Sequence, residues 1–412
     1  MFMAKEKRWG YAHSGKTLPL SPGHEECLTT AMERESLASI GKREEHILSA
    51  GSSRLSSLEN SQRWVHVDKI ASVAVRSSLS QRVCITMTGG EPQAGDFAVC
   101  RVLTDQSNYD RMELTSGRMA RLNKGDLIVG AFGARRALKG YVGEIPREVA
   151  LGDTLNILNL GGVIGRCTGY HRDMSPPLKV EFLGYVYDGT KVMNMADFAL
   201  GPIPTGVSAS PVPVIAVAGS CMHSGKTRAA AELVRRFSDR GYKVATGKLS
   251  GVGCLKDSLE MRDHGAVQSL CFMDLGLPST VGVADLGAVA RSIIGHLSSA
   301  AVDVIVVELG DGILGAYHGG TILDDVEIQK QLAGLVYCAG DFVGTWGGIE
   351  ILKQKSLIPD VISGSVTDSQ MGCEYIHNQF SIPAANALSQ GPTLFSIVES
   401  KMIAWRQRCL TA

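Results

Sequence analysis

The sequence predicts an α/β protein, with a doubly wound, mostly parallel sheet in its C-terminal half and an all-β barrel or sandwich domain before it. Two observations predict this division. From residue 214 onward, continuous apolar runs alternate with helix-forming segments, which is typical of a parallel sheet covered on both faces. Between residues 64 and 195, short apolar runs recur between Gly, Asp, Asn and Pro, which is typical of antiparallel strands and turns.

The composition along the chain predicts four parts. Residues 1–63 are polar and rich in Ser, Glu, Lys and Arg, so we expect a partly disordered or helical extension. Residues 64–195 form the predicted β domain, and residues 196–213 contain four prolines and form a linker. The α/β domain spans residues 214–412. Within the β domain, three Gly-Asp pairs each precede an apolar run and predict turns, at residues 95–96, 125–126 and 152–153.

The α/β domain opens with a predicted strand over residues 214–218 and a helix over residues 227–240. Apolar residues of this helix recur at helical spacing, and Gly241 ends it. The remaining predicted strands lie at residues 243–246, 269–273, 304–307, 335–339, 361–363 and 393–395, and the remaining helices at residues 259–266 and 286–298.

The bulk composition argues against several classes of protein. Lys plus Arg and Asp plus Glu both total 41, and this balance gives no sign of a nucleic-acid or membrane-surface partner. The 10 cysteines are scattered without a C-x-x-C pair, which favours a reducing compartment. No apolar stretch approaches the ~18 residues of a membrane span, and the first residues lack the apolar core of a signal peptide. We therefore expect a cytoplasmic protein.

The pentapeptide His-Ser-Gly-Lys-Thr occurs twice, at residues 13–17 and 223–227. The second copy lies between a predicted strand and a predicted helix, where backbone N–H groups and the helix N-terminus converge on phosphate oxygens. Lys226 is expected to reach the terminal phosphates, and the Thr227 hydroxyl to ligate Mg²⁺. Prolines 19 and 22 forbid a helix after the first copy, so we predict no site there.

The second copy belongs to a loop that reads G-x5-G-K-T, one residue longer than the usual G-x4-G-K-[ST]. Because its backbone encloses the predicted phosphate position, we assign nucleotide contacts to the whole loop and to the first residue after it. These residues are Gly219, Ser220, Cys221, Met222, His223, Ser224, Gly225, Lys226, Thr227 and Arg228.

The loop resembles that of dethiobiotin synthetase, in a P-loop group that also contains the accessory protein MobB and the cobyric acid synthases. Two further features fit this resemblance. Lys248 follows the second strand, and Glu308-Leu-Gly-Asp-Gly312 is similar to the E-G-x-G-G of that family. The resemblance implies a P-loop NTPase fold for the C-terminal half only, ATP and Mg²⁺ as cofactors, Lys248 as a substrate or phosphate contact, and Glu308 as a metal ligand.

Other residues complete the candidate site. Asp311 is a candidate for water activation or metal binding, and Asp274 follows an apolar run at the same predicted edge of the sheet. Trp346 fits either core packing or stacking on a base. We thus assign catalysis to Lys226, Lys248 and Asp311, and metal binding to Thr227, Glu308 and Asp274.

These features predict an ATP- and Mg²⁺-dependent enzyme of the kinase or ligase type, acting on an unidentified small molecule by phosphoryl transfer or carboxylate activation. A nucleotide-dependent accessory or switch protein is one alternative. A fainter resemblance to P-loop-like D-glutamate N-acyltransferases implies another, in which the loop binds coenzyme A. Cys221 replaces the signature lysine of dimeric P-loop ATPases. A homo-oligomer stays compatible with the first resemblance, since such enzymes often place their substrate site at a dimer interface.

Overall fold

The computed structural model describes residues 62–201, 203 and 212–411. The first His-Ser-Gly-Lys-Thr copy lies outside the described residues, and so does the predicted N-terminal extension except for residues 62 and 63, which open a strand. Residues 202 and 204–211 of the predicted linker also lie outside. No helix in the described part of the chain is long and apolar enough to cross a membrane.

The β region contains twelve strands. They are β1 (Gln62–His66), β2 (Lys69–Ile70), β3 (Arg82–Thr86), β4 (Phe97–Val102), β5 (Arg111–Glu113), β6 (Met119–Arg121), β7 (Leu127–Phe132), β8 (Arg135–Arg136), β9 (Tyr141–Glu144), β10 (Thr154–Ile157), β11 (Val163–Tyr170) and β12 (Lys179–Val186). Strands β5 and β6 form a separate hairpin, and the other ten form one sheet in the order β1-β3-β12-β4-β7-β11-β9-β8, with β2 on β7 and β10 between β11 and β12.

This sheet is mixed, whereas the sequence predicts antiparallel strands only. β7 pairs in parallel with both β2 and β11, because long connections separate these strands in the chain and return each in the same direction. Successive pairings return to the starting strand: β12 pairs with β4, β4 with β7, β7 with β11, β11 with β10, and β10 with β12. The description of the region as a barrel or sandwich stays a prediction.

The three Gly-Asp pairs make the same turn. Each glycine has a positive φ, of 89° at Gly95, 97° at Gly125 and 85° at Gly152, a backbone conformation that favours glycine. In each turn the aspartate side chain accepts a hydrogen bond from the backbone N–H three residues earlier, at 2.7–3.1 Å. Strands β4, β7 and β10 begin directly after these turns, as predicted.

The α/β region contains six strands and seven helices. Its strands are β13 (Val214–Gly219), β14 (Val244–Lys248), β15 (Gln268–Cys271), β16 (Val304–Glu308), β17 (Leu332–Cys338) and β18 (Val361–Ser363). Its helices are α1 (Lys226–Asp239), α2 (Lys256–Asp263), α3 (Leu286–Ser298), α4 (Val326–Gln331), α5 (Phe342–Gln354), α6 (Gln370–Phe380) and α7 (Gly391–Thr411). The sheet is parallel throughout, in the order β15-β14-β16-β13-β17-β18.

This order sets two strands side by side at the centre of the sheet. β13, which leads into the G-x5-G-K-T loop, pairs with β16, which ends in Glu308. Because both are parallel, the loop and Glu308 meet at the same edge. The predicted strand at residues 393–395 is wrong, since these residues belong to α7, where Leu394 and Phe395 are buried on a helix face.

The β and α/β regions share one buried apolar cluster. Residues of the β region such as Phe97 and Met112 belong to the same cluster as Leu249 and Phe272, which follow β14 and β15. Polar contacts fix the junction as well. The Asn159 side-chain amide donates to the Gly253 carbonyl oxygen at 2.6 Å, and the Glu113 carboxylate accepts from the Leu255 N–H at 2.6 Å. The β region therefore covers the edge of the parallel sheet at which the loop lies.

Candidate functional site

The loop between β13 and α1 is held by contacts between backbones. A methyl group at Gly219 would lie 2.8 Å from the Cys338 carbonyl oxygen, and one at Gly225 would lie 2.9 Å from the Gly364 Cα. A methyl group at Gly364 would collide with the Ser224 carbonyl oxygen. Gly225 and Gly364 also have positive φ values, of 100° and 90°. These three positions favour glycine, so the observed conformation of the loop depends on them.

Lys226 is buried at the start of α1 and turns back into the loop. Its Nζ donates to the Cys221 carbonyl oxygen at 2.7 Å and to the Ser224 Oγ at 3.4 Å. Burial lowers the pKa of Lys226, while the nearby Glu308 carboxylate opposes this shift. The ammonium group therefore lies in the mouth of the loop, held by weak neutral acceptors that an anion can replace.

Thr227 and Glu308, the two predicted metal ligands at the loop, meet across the edge of the sheet. The Thr227 hydroxyl donates to Glu308 Oε1 at 3.1 Å, and both side chains offer oxygen, the donor that Mg²⁺ prefers. This pair fits a magnesium ion that takes its other ligands from phosphate and water. Among the described residues, no group of three or more His, Cys, Asp or Glu side chains is placed to hold a metal by itself.

Lys248 lies at the end of β14 between two carboxylates. Its Nζ forms an ion pair with Asp257, at the start of α2, and a longer one with Glu308 at 3.4 Å. Burial alone would lower the pKa of Lys248, but Glu308 and Asp257 outweigh it and raise the pKa. Lys248 is therefore a fixed positive charge beside the loop.

Asp311 lies in the glycine-rich turn after β16, with a positive φ of 64°. Gly312 allows close approach to the loop, since a methyl group there would collide with the Ser220 carbonyl oxygen. Burial raises the pKa of Asp311, and Lys226 partly offsets the shift. Asp311 is thus a carboxylate near the loop whose proton affinity is increased.

The other predicted loop residues differ in where their side chains lie. Ser220 Oγ accepts from the Gly340 N–H at 3.3 Å, which ties the loop to the end of β17. His223 is exposed with a φ of 64°. Arg228 is exposed on α1 and lies 3.8 Å from the Glu260 carboxylate on α2. Their assignment as nucleotide contacts stays a prediction, and that of Arg228 gains no support from its contacts.

Asp274 and Trp346, two further candidate residues, lie in surroundings that differ from those of the loop residues. The Asp274 carboxylate accepts from the Cys271 N–H at 2.8 Å and pairs with Arg76 of the β region at 3.2 Å, so it caps a turn and joins the two regions. These contacts do not favour a role in metal binding, because each of its oxygens already has a partner away from the loop. Trp346 is not a core residue, since it is 58% exposed on α5.

A cavity of about 200 Å³ lies beside the loop, between the two regions. The α/β region supplies the three residues nearest the predicted chemistry, Met222, Lys248 and Asp311, and the β region supplies residues from the opposite side. The remaining lining residues are Tyr109, Arg135, Asn159, Leu160, Gly251, Val252, Cys254, Lys256, Asp257, Gly310 and Tyr317. The cavity thus joins the loop Gly219–Thr227 to the β region.

Sequence reasoning missed Tyr109, Arg135 and Asp257. Arg135 and Tyr109 lie in a region that carries no motif, and only the packing of that region on the sheet brings them to the cavity. Asp257 lies at the start of an ordinary helix. Its position nine residues after Lys248 is the one sequence signal that could have indicated an ion pair.

No family model and no curated protein matches this sequence. Among solved structures, the chain is similar to the signal recognition particle receptor FtsY from Elizabethkingia anophelis, with 15% identity and a TM-score of 0.31 over 48% of this chain and 68% of that one. It is also similar to the cell division protein FtsY from Thermotoga maritima, with 16% identity and a TM-score of 0.35 over 50% of this chain and 74% of that one. A nucleotide-binding protein in complex with ADP from Archaeoglobus fulgidus matches with 12% identity and a TM-score of 0.32, over 46% of this chain and 86% of that one. Scores this low say nothing about activity, and these structures lend no support to the narrower resemblance to dethiobiotin synthetase.

Proposed function

We propose that this chain is an enzyme that binds a magnesium–nucleotide, ATP in the first instance, on the loop Gly219–Thr227 and transfers its terminal phosphoryl group to a small acceptor. The observation that carries this proposal is the cavity between the two regions. It is lined by Met222 of the loop, Lys248 and Asp311 on one side and by residues of the β region on the other. A switch protein needs no such chamber beside its phosphates, whereas a transferase needs a place for its acceptor.

The loop side supplies the contacts for the phosphates. The N-terminus of α1 and the backbone N–H groups of the loop provide partial positive charge, and Lys226 adds a full charge. In the structure Lys226 binds two neutral oxygens of its own loop. We expect it to exchange these acceptors for phosphate oxygens, because hydrogen bonds between charged partners are about twice as strong as neutral ones.

Thr227 and Glu308 would hold Mg²⁺, which when bound neutralises phosphate charge. Lys248 already contacts Glu308, so it stands at the boundary between the metal position and the cavity. From there its fixed charge stabilises negative charge on the group in transfer. Asp311 lines the cavity, and its raised pKa suits a group that accepts a proton from the acceptor nucleophile.

The test compares Lys226→Ala with Lys243→Ala in the full chain. Lys243 is an exposed lysine before β14 with no ion pair among the described residues, so it controls for the loss of one positive charge. Calorimetric titration with ATP and Mg²⁺ is expected to show binding by the wild type and the control but not by Lys226→Ala. Unchanged ATP affinity in a folded Lys226→Ala variant would sink the proposal. Parallel titrations with GTP and coenzyme A identify the ligand of the loop.

One observation favours a second candidate, a nucleotide-dependent switch. Helix α5 begins shortly after Gly340, which contacts the loop through Ser220, and it exposes Val343 and Trp346 at 77% and 58%. An exposed apolar face next to a nucleotide loop suits a partner that senses the bound nucleotide. Hydrolysis that depends on a protein partner, without any small acceptor, would favour this candidate over phosphoryl transfer.

A further inference from the structure

We infer that the cavity is a binding site for a small carboxylate, with the guanidinium group of Arg135 as its anion-binding residue. The inference deepens the proposed function by giving the acceptor a chemical class. Binding of the carboxylate does not depend on nucleotide chemistry, so an experiment can refute the carboxylate site without refuting the phosphoryl transfer, and the reverse.

Arg135 is a buried cation without a carboxylate partner. It is 4% exposed, and no Asp or Glu among the described residues lies within ion-pair distance of it. Its Nη1 donates to the Leu158 carbonyl oxygen and its Nη2 to the Tyr109 hydroxyl at 3.0 Å, while its Nε has no hydrogen-bond partner in the described structure. The Tyr109 ring, whose centroid lies 5.1 Å from the guanidinium carbon, and two neutral acceptors compensate this buried charge only in part. Because a buried charge is costly unless it is paired, the guanidinium group favours an anion as the ligand of the cavity.

Two tyrosines add hydrogen-bond donors. The Tyr109 hydroxyl accepts from Arg135, and the Tyr317 hydroxyl accepts from the Arg136 N–H at 3.2 Å. Neither hydroxyl donates to an acceptor among the described residues, so both O–H groups are available to a ligand. Both tyrosines line the cavity together with Arg135. Three donors without acceptors, one of them charged, therefore share one chamber.

The lysines that line the cavity already have anionic partners or are exposed to water. Lys248 pairs with Asp257 and Glu308, and Lys256 is exposed at the cavity. Asp311 and Asp257 are the carboxylates that line it. A single buried guanidinium group therefore balances one negative charge, and a phosphate dianion would bring a second charge close to two carboxylates.

Shape and size also favour a carboxylate. The planar guanidinium fork matches the two oxygens of a carboxylate group. The volume of about 200 Å³ is below the ~300–1,000 Å³ of drug-sized ligand sites, so the ligand has only a few carbon atoms beside its carboxylate. Leu160, Val252 and Met222 provide apolar surface for its stem, which places its far end beside the loop.

The test uses butyrate and butyramide, which have similar shapes and differ in charge, at constant ionic strength with the full chain. Thermal shift and calorimetry are expected to show saturable binding of butyrate and none of butyramide. Arg135→Gln is expected to weaken butyrate binding by about tenfold or more, because a hydrogen bond to a charged group is lost. Arg136→Gln, at the exposed neighbouring position, is the matched control and is expected to bind butyrate as the wild type does.

Tyr317→Phe keeps the volume of the cavity and removes one donor, so it tests the site even if Arg135→Gln does not fold. It is expected to weaken butyrate several-fold. Equal binding of butyrate and butyramide, butyrate affinity unchanged in both variants, or binding of inorganic phosphate in place of butyrate would overturn the inference. Lys226→Ala separates the two proposals: it is expected to lose ATP and keep butyrate, whereas wild-type protein that binds butyrate but never ATP refutes the proposed function alone.

Discussion

The charged side chains on the two sides of the cavity have different kinds of partner. On the α/β side, Lys226 binds oxygens of its own loop, Lys248 binds two carboxylates, and Glu308 accepts from Thr227. On the β side, the guanidinium group of Arg135 is buried with neutral partners only. The charged groups of the α/β side are therefore paired before any ligand arrives, whereas on the β side the charge of Arg135 is paired only when an anionic ligand binds. We expect substitutions on the first side to act on stability and nucleotide binding, and those on the second to act on ligand affinity.

The largest effect is expected from Gly364→Ala, which tests how far the α/β side is fixed by backbone packing. The added methyl group meets the Ser224 carbonyl oxygen and lies 2.8 Å from the Ala339 carbonyl oxygen, at a positive φ. The free energy of unfolding should fall by roughly 2–4 kcal/mol, as for overpacking combined with backbone strain. Urea denaturation measures this change.

Gly340→Ala is the control for that experiment, because a methyl group there has open space. It should change the free energy of unfolding by less than about 0.5 kcal/mol. Equal losses in the two variants would show that the end of β18 does not brace the loop.

The next effect concerns metal binding on the α/β side. Thr227→Val keeps the shape of the side chain and removes the hydroxyl that faces Glu308. Nucleotide affinity in the presence of Mg²⁺ should fall about tenfold to 100-fold, since the metal ion loses the Thr227 hydroxyl as a ligand. Affinity without Mg²⁺ should change little. A loss of the same size with and without Mg²⁺ would contradict the assignment of Thr227 to the metal.

Asp257→Asn tests whether the ion pair with Lys248 stabilises the α/β side without a ligand. The free energy of unfolding at pH 7 should fall by about 1–3 kcal/mol, because the pair is partly buried and loses its negative partner. The structure lowers the pKa of Asp257: burial acts against this shift, but Lys248 outweighs it. The stabilisation is thus present above pH 3.8, the ordinary value for aspartate, and is lost as the pH falls through the lower folded-state value.

Denaturation between pH 7 and pH 3 checks this dependence. Asp263→Asn, at an exposed position of the same helix, is the control and should leave the stability unchanged. A difference between wild type and Asp257→Asn that does not decrease at all below pH 3.8 would rule out the ion pair as its source.

The smallest effect is expected from Trp346→Ser. This side chain is exposed and belongs to neither side of the cavity, so stability and nucleotide affinity should both stay within about 0.5 kcal/mol of the wild type. A larger loss of nucleotide affinity would mean that Trp346 stacks on the base, as one interpretation of the sequence holds. If the variant loses only the binding of a partner protein, the result would favour the second candidate, a nucleotide-dependent switch.

The sequence predicts one side of the cavity better than the other. The loop, α1 and the meeting of Thr227 with Glu308 could be predicted because local sequence and strand order determine them. The sequence predicts no helix after residue 298, although α4, α5, α6 and α7 lie there. It predicts a strand at residues 393–395 instead, because short apolar runs do not distinguish a buried strand from a buried helix face. Arg135 could not be found, since its role depends on burial and on absent partners, which no local pattern records.

The contact of Gly364 with Ser224 and Gly225 has a consequence for motion. Backbone atoms form it, so no side chain can rotate aside to widen the loop. Any displacement of Ser224 must carry the end of β18 with it. Ile362, two residues earlier, is bound through its N–H to the Pro383 carbonyl oxygen and through its own carbonyl oxygen to the Ala385 N–H. We therefore expect the loop and the segment at residues 383–385 to be coupled, so that a displacement of that segment reaches the loop through β18.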